Sequence, residues 1–253
     1  PPWLGLMAFG STLTFGQPEW FATVLVLGGC LIAGACGYFF LRHLTKSRWQ
    51  AAVLASLWGL ALPLSGATGA GSLDAIAAAI LLPLIANVCR VWLVNDKAGP
   101  QMWRRPAHFA LLSTILISFV PLTWLVLALV AFLIGKRTKN WKAALIAALG
   151  PIVVLLPWLP RLFSDPGRLI TGSEPSAVWS SSAPNPLGLL AGRGEFASAP
   201  IAINVLVIAV FWVLALVAVY RLRSRLVLYL AGSAVAFLAV AILLSRLVVT
   251  VNY

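Results

Sequence analysis

The sequence predicts an all-α fold, a polytopic bundle of transmembrane helices, and three observations carry that prediction. Of the 253 residues, 61% are hydrophobic and only 9% are charged, against about 25% charged in a soluble domain. The apolar residues fall into about eight long runs rather than alternating with polar ones. The bases, with a formal net charge of +12, sit in short clusters between those runs, as Lys and Arg do in cytoplasmic loops. A basic stripe interleaved with aromatics, the footprint of nucleic-acid binding, is not present.

The runs can be taken in order. Trp3 to Phe15 is short and reads as a truncated or half-spanning helix. Phe21 to Leu41 has 21 residues without a charge, about 31 Å of helix and enough to cross the hydrocarbon core. Trp49 to Leu64 has 16 residues, near the lower limit for crossing, and its small residues suit burial among other helices. Ala75 to Val94 is a span with an expected kink at Pro83. Ala143 to Phe163 contains Pro151, Pro157 and Pro160, so its last turns are expected to bend or break. Pro200 to Tyr220 and Leu226 to Leu247 complete the set.

His108 to Gly135 is too long for an ordinary span, and Pro121 lies at its middle. Charge resolves it. The clusters are Arg42, Lys46 and Arg48; then Arg90, Lys97, Arg104 and Arg105; then Lys136, Arg137, Lys139 and Lys142; then Arg221, Arg223 and Arg225. Placing all four in the cytoplasm puts 14 of the 18 bases inside, the expected bias. That requires a re-entrant hairpin over 108–135, turning near Val120-Pro121. Residues 1–163 then form membrane helices with short loops, 164–199 an extracytoplasmic loop rich in Ser, Pro and Gly, and 200–253 two C-terminal transmembrane helices. The chain opens Pro1-Pro2-Trp3 without an initiator Met, and it reads as a piece of a longer protein.

Little chemistry is visible in the side chains. There is no Asp-x-Asp pair, Walker A loop, His-Glu-x-x-His or Gly-x-Ser-x-Gly, so the usual metal, phosphate and acyl-transfer motifs are missing. No metal or cofactor is expected in this chain. Cys30, Cys36 and Cys89 lie in apolar runs and read as buried free thiols. The tryptophans, Trp3, Trp20, Trp49, Trp92, Trp103 and Trp141 among them, mark span ends as an aromatic belt. His43 and His108 sit beside basic loops and read as solvated interfacial residues. The glycine-rich stretch Gly66 to Gly71 does not follow a strand, so it suits a sharp turn or close backbone packing better than a phosphate cradle.

The candidate substrate-binding residues are Asp74, Ser72 and Arg161. Asp74 is the one acid in an apolar context, two residues after Ser72, a good N-cap at the start of the Ala75 run. It serves either the helix dipole or a ligand in an outer cavity. Arg161, at the outer end of the proline-broken run, and Arg246, at the end of the last, either snorkel to headgroups or pair with a phosphate.

The order of several short motifs resembles a known family. They are Pro1-Pro2-Trp3-Leu4, Phe15-Gly16-Gln17-Pro18 and Leu31-Ile32-Ala33-Gly34, then Leu62-Pro63-Leu64-Ser65-Gly66-Ala67 into Gly69-Ala70-Gly71-Ser72-Leu73-Asp74. Leu81-Leu82-Pro83-Leu84, Phe119-Val120-Pro121-Leu122 and Leu155-Leu156-Pro157-Trp158-Leu159 follow. Together they resemble the C-terminal polytopic membrane region of actinobacterial family 2 glycosyltransferases, similar in plan to the C-type glycosyltransferases. Many relatives carry a basic residue where Ser72 stands. The resemblance implies a membrane module in cell wall biogenesis, assembling envelope polysaccharide from a polyprenyl-phosphate-linked sugar. It also implies that the main catalytic residues lie outside this chain. Membrane lipids, the polyprenyl-linked substrate and other envelope-synthesis proteins are then the expected partners. A transporter or flippase for such lipids, and a non-catalytic scaffold subunit, are the competing readings. Broken helices suit a transporter equally, but no internal repeat supports one.

Overall fold

A computed structural model of the chain describes residues 2–45, 47–94 and 101–164, with scattered helical positions between 205 and 243. The expected loop over 164–199, apart from Ser164, and Arg246 lie outside the described residues. So do most of the two C-terminal spans. Among the described residues every regular element is helical. In order these are α1 (Pro2–Ser11), α2 (Pro18–Leu41), α3 (Arg48–Ser65), α4 (Leu73–Val94), α5 (Gln101–Phe119), α6 (Thr123–Thr138), α7 (Trp141–Leu155) and α8 (Leu159–Ser164).

Three of these are long and apolar enough to cross a membrane: α2, α4, and α7 extended by a 3-10 turn to Trp158. This is the firm part of the expected eight-segment bundle. α3 has 18 residues but carries Arg48 and Gln50, α6 has only 16, and α5 carries Arg104 and Arg105 in its first turns. Leu27 (73% exposed) and Leu31 (76%) on α2 stand out from the bundle, as side chains do where lipid is the solvent.

Small residues and prolines explain how the helices meet. α2 buries Gly29, Ala33 and Gly37, and α3 buries Ala51, Ala55, Gly59 and Leu62. These rows recur every three or four residues, so each forms one face. Gly34 approaches Ala55 and Gly59, while Gly59 approaches the Cys30 carbonyl, which makes the pair antiparallel. Gly29 faces Ile76 of α4, and Trp58 donates its indole N–H to the Ala79 carbonyl at 2.9 Å. The second half packs through larger side chains. Leu81, Ile85, Trp92, Phe109, Leu116, Leu127 and Ile134 form one core that joins α4 to α7. Gly135 and Gly150 admit α7 against α6 and α5, and Trp124 donates to the Ala148 carbonyl at 3.0 Å.

Prolines mark some ends but not others. The segment 108–135 divides at Val120–Leu122 into α5 and α6, as Pro121 predicts. Helix α5 begins at Gln101, however, so Arg104 and Arg105 belong to its first turns rather than to a loop. Past Pro151 the helix continues to Leu155, tightens into a 3-10 turn over Leu156–Trp158 and restarts as α8. Pro63, Pro83 and Pro106 lie inside their helices, a tolerance common where neighbouring helices satisfy the freed carbonyls.

Two expectations need correction. Trp92 is buried at 4% exposure with its ring 6.0 Å from Phe109 at 60°, so it is a core residue and not part of a belt. The three cysteines are free but only half-buried, because each helix that carries one has an open flank.

Candidate functional site

The alternation of helices sorts charge between two ends of the bundle. The C-terminus of α2, both termini that join α4 to α5, and the α6–α7 turn share one end. Arg42, Arg48, Arg90, Arg104, Arg105, Lys136, Arg137, Lys139 and Lys142 all gather there. The opposite end holds the α3–α4 turn, the Val120–Leu122 break and α8, together with Glu19 and Asp74, the two acids among the described residues.

At that second end, local chemistry builds a compact turn. Gly66 ends α3 with φ 83°, a left-handed conformation that glycine enters without strain. Its N–H bonds the Pro63 carbonyl and the Ala67 N–H bonds the Leu62 carbonyl, the paired closure of a Schellman motif. Gly71, with φ 66°, turns the chain back toward α4, and the Ser72 N–H bonds the Ala67 carbonyl at 2.9 Å. The glycine-rich stretch is therefore a turn.

Ser72 and Asp74 meet directly. The Ser72 hydroxyl donates to Asp74 Oδ1 at 2.6 Å, and the Ala75 N–H donates to the same oxygen at 2.8 Å. Ser72 is thus a donor to the carboxylate instead of a side-chain acceptor for α4. The carboxylate stands in the first turn of α4, where the helix dipole favours a negative charge. Of the candidate trio, the structure brings Ser72 and Asp74 together. Arg161 lies in α8, and its side chain is outside the described residues.

The basic end contains a site that inspection of single residues passes over. A cavity of about 240 Å³ opens between α4 and α5, lined by Asn87, Val88, Val91, Arg104, Arg105 and His108. Arg90 Nη2 donates to Asn87 Oδ1 at 3.3 Å, while Arg90 Nε is buried without a hydrogen-bond partner. Asn87 and Arg90 lie three apart on α4, as Arg105 and His108 do on α5, so each pair shares a face. That spacing was the signal available in the sequence. The exposed His43 imidazole is held below its ordinary value of 6.5 by residual desolvation first, then by the charges of Arg90 and Arg42. Arg42 Nε also donates to His43 Nε2 at 3.4 Å, a contact only the neutral ring accepts.

No group of three or more His, Cys, Asp or Glu side chains able to hold a metal occurs among the described residues. Comparison with known protein families, curated proteins and solved structures found no match to this chain.

Proposed function

We propose that this chain is the membrane module of a glycosyltransferase that assembles cell-envelope polysaccharide from polyprenyl-phosphate-linked sugars. Its basic end faces the cytoplasm and its Ser72–Asp74 end faces outward. The observation that carries this reading is the Ser72–Asp74 pair, placed beside a tight glycine turn at the end of the bundle opposite the bases. The motif order described above supports the family, and the charge separation supports the orientation.

In this reading the lipid phosphate pairs with Arg161 at the outer end, and the sugar lies nearer α4. Asp74 contacts a sugar hydroxyl and not the phosphate, because two anions repel at close range. Both hydrogen bonds described for Asp74 use Oδ1, so Oδ2 is the oxygen offered to the sugar. Ser72 holds the carboxylate in place. The leaving-group chemistry belongs to residues outside this chain.

Asp74→Asn tests the reading. If the carboxylate only complements the helix dipole, the change costs under about 1 kcal/mol of stability and synthesis continues at full rate. If it holds the sugar, polysaccharide synthesis in cells falls at least about tenfold at normal protein level, the loss of a charge-assisted hydrogen bond. Full synthesis by the variant would remove the carboxylate from the site.

A further inference from the structure

We propose that the cavity between α4 and α5 at the basic end binds the phosphate of an anionic lipid headgroup. This inference rests on the bundle lying in a membrane with its basic end in the cytoplasm, and not on the glycosyltransferase reading.

The lining decides the charge of the ligand. Arg90 has only donors, so its bond to Asn87 occupies the amide oxygen and leaves the amide N–H groups for the cavity. Arg104 and Arg105 add guanidinium groups, His108 adds an imidazole, and no carboxylate is among the described residues of the wall. A cavity whose described polar groups include fixed positive charge and no acid favours an anion, and guanidinium matches phosphate in shape.

Placement strengthens the case. Arg104 and Arg105 occupy the first turns of α5, where the positive end of the helix dipole opposes cations. Arg104 there is disfavoured until an anion offsets it, and the same helix end then adds to the attraction.

Size and surroundings decide the source. Drug-sized ligands fill roughly 300–1,000 Å³, and about 240 Å³ is too small for a nucleotide sugar but suits a phosphate with its glycerol. Val88 and Val91 form an apolar wall beside the donors, and the exposed Trp103 stands on the same turn of α5, the depth at which tryptophan sits in a bilayer. Basic pockets between membrane helices on the cytoplasmic side are lipid-headgroup sites by the same physics.

The test uses the full chain in nanodiscs of phosphatidylcholine with a minor fraction of phosphatidic acid, followed by native mass spectrometry of retained lipid. Arg104→Gln and His108→Gln each alter an exposed side chain, so the fold survives both. Lys142→Gln removes a charge at the same end but outside the cavity. We expect the parent protein to retain phosphatidic acid over phosphatidylcholine. Arg104→Gln should lower that affinity about tenfold, His108→Gln should lower it less, and Lys142→Gln should leave it unchanged. Equal losses in Arg104→Gln and Lys142→Gln, or none in either, would mean diffuse attraction to the surface and would overturn the proposal. Displacement of the lipid by equimolar glycerol 3-phosphate would overturn the lipid source and make the site one for soluble phosphate.

Discussion

The two halves of the bundle hold together by different means. Between α2 and α3 the seam is Gly29, Ala33 and Gly37 against Ala51, Ala55 and Gly59, so backbone touches backbone. From α4 through α6 it is Trp92, Phe109, Leu116, Leu127 and Ile134, so large side chains fill the space between the helices. In water both would gain from burying apolar surface. In lipid the tails are as apolar as leucine, and helices associate through packing and hydrogen bonds alone. The glycine seam therefore depends on shape at a few atoms, whereas the aromatic seam spreads its contacts over many. The first should fail abruptly and the second gradually.

Gly59→Val should show the largest effect. A Cβ there would lie on the Cys30 carbonyl oxygen and within 3.2 Å and 3.3 Å of the Gly34 N and Cα. Backbone cannot rotate aside as a side chain can, so α2 and α3 must separate. The expected loss is about 3 kcal/mol or more, read as a drop in the unfolding temperature of the detergent-solubilised protein. Gly28→Val is the matched control, because its Cβ meets only Ile32 Cδ1 at 3.8 Å. Similar melting of the two variants would end the claim of a shape-critical seam.

Phe109→Ala probes the other half and should rank below it. Phe109 is fully buried against Trp92. Truncating such a ring in a soluble core costs about 3–5 kcal/mol, part of it the transfer from water. Here the unfolded reference remains in lipid, so the packing term dominates and about 2 kcal/mol is expected. The same melting assay applies. A greater loss than for Gly59→Val would invert the comparison.

How far the sequence foretold this structure also differs between regions. The spans Phe21–Leu41 and Ala75–Val94 were visible because the length of an uncharged run limits the helix, and α2 and α4 extend them by only three and two residues at the start. The break near Pro121 was visible for a similar reason, since proline removes a donor and crowds the preceding turn. Pro83, by contrast, lies inside α4, which runs without interruption from Leu73 to Val94. Trp92 looked interfacial because it lies two residues from the end of its run, yet α5 covers it. Asp74 in the first turn of its helix was legible from its place in the run, but Ser72, expected to cap α4, donates to the Asp74 carboxylate instead. The basic cavity was hidden for a different reason. Asn87 and Arg104 are distant in sequence, and each by itself resembles an ordinary interfacial residue until α4 is laid against α5.

The smallest expected effect tests how the α2–α3 seam joins α4 at the basic end. There His43, past the C-terminus of α2, feels Arg90 on α4 as well as its neighbour Arg42. Its guanidinium contacts are tied in turn to α2, since Arg42 lies 5.2 Å over the Phe39 ring. A histidine held below its ordinary value takes up its proton more readily in the unfolded chain than in the folded one. Stability from this group is therefore complete above pH 6.5. It falls as the pH drops through 6.5 toward the lowered folded value, and it is lost below that value, where both states are protonated. Because the ring is exposed the change is slight, and the imidazole resonance in an NMR titration reports it better than melting. Arg90→Gln removes one of the two charges and should move the His43 midpoint upward, while desolvation and Arg42 keep it below 6.5. A midpoint unmoved by Arg90→Gln would mean that α2 and α4 do not approach at this end, and that the packing of Gly29 on Ile76 stops short of it.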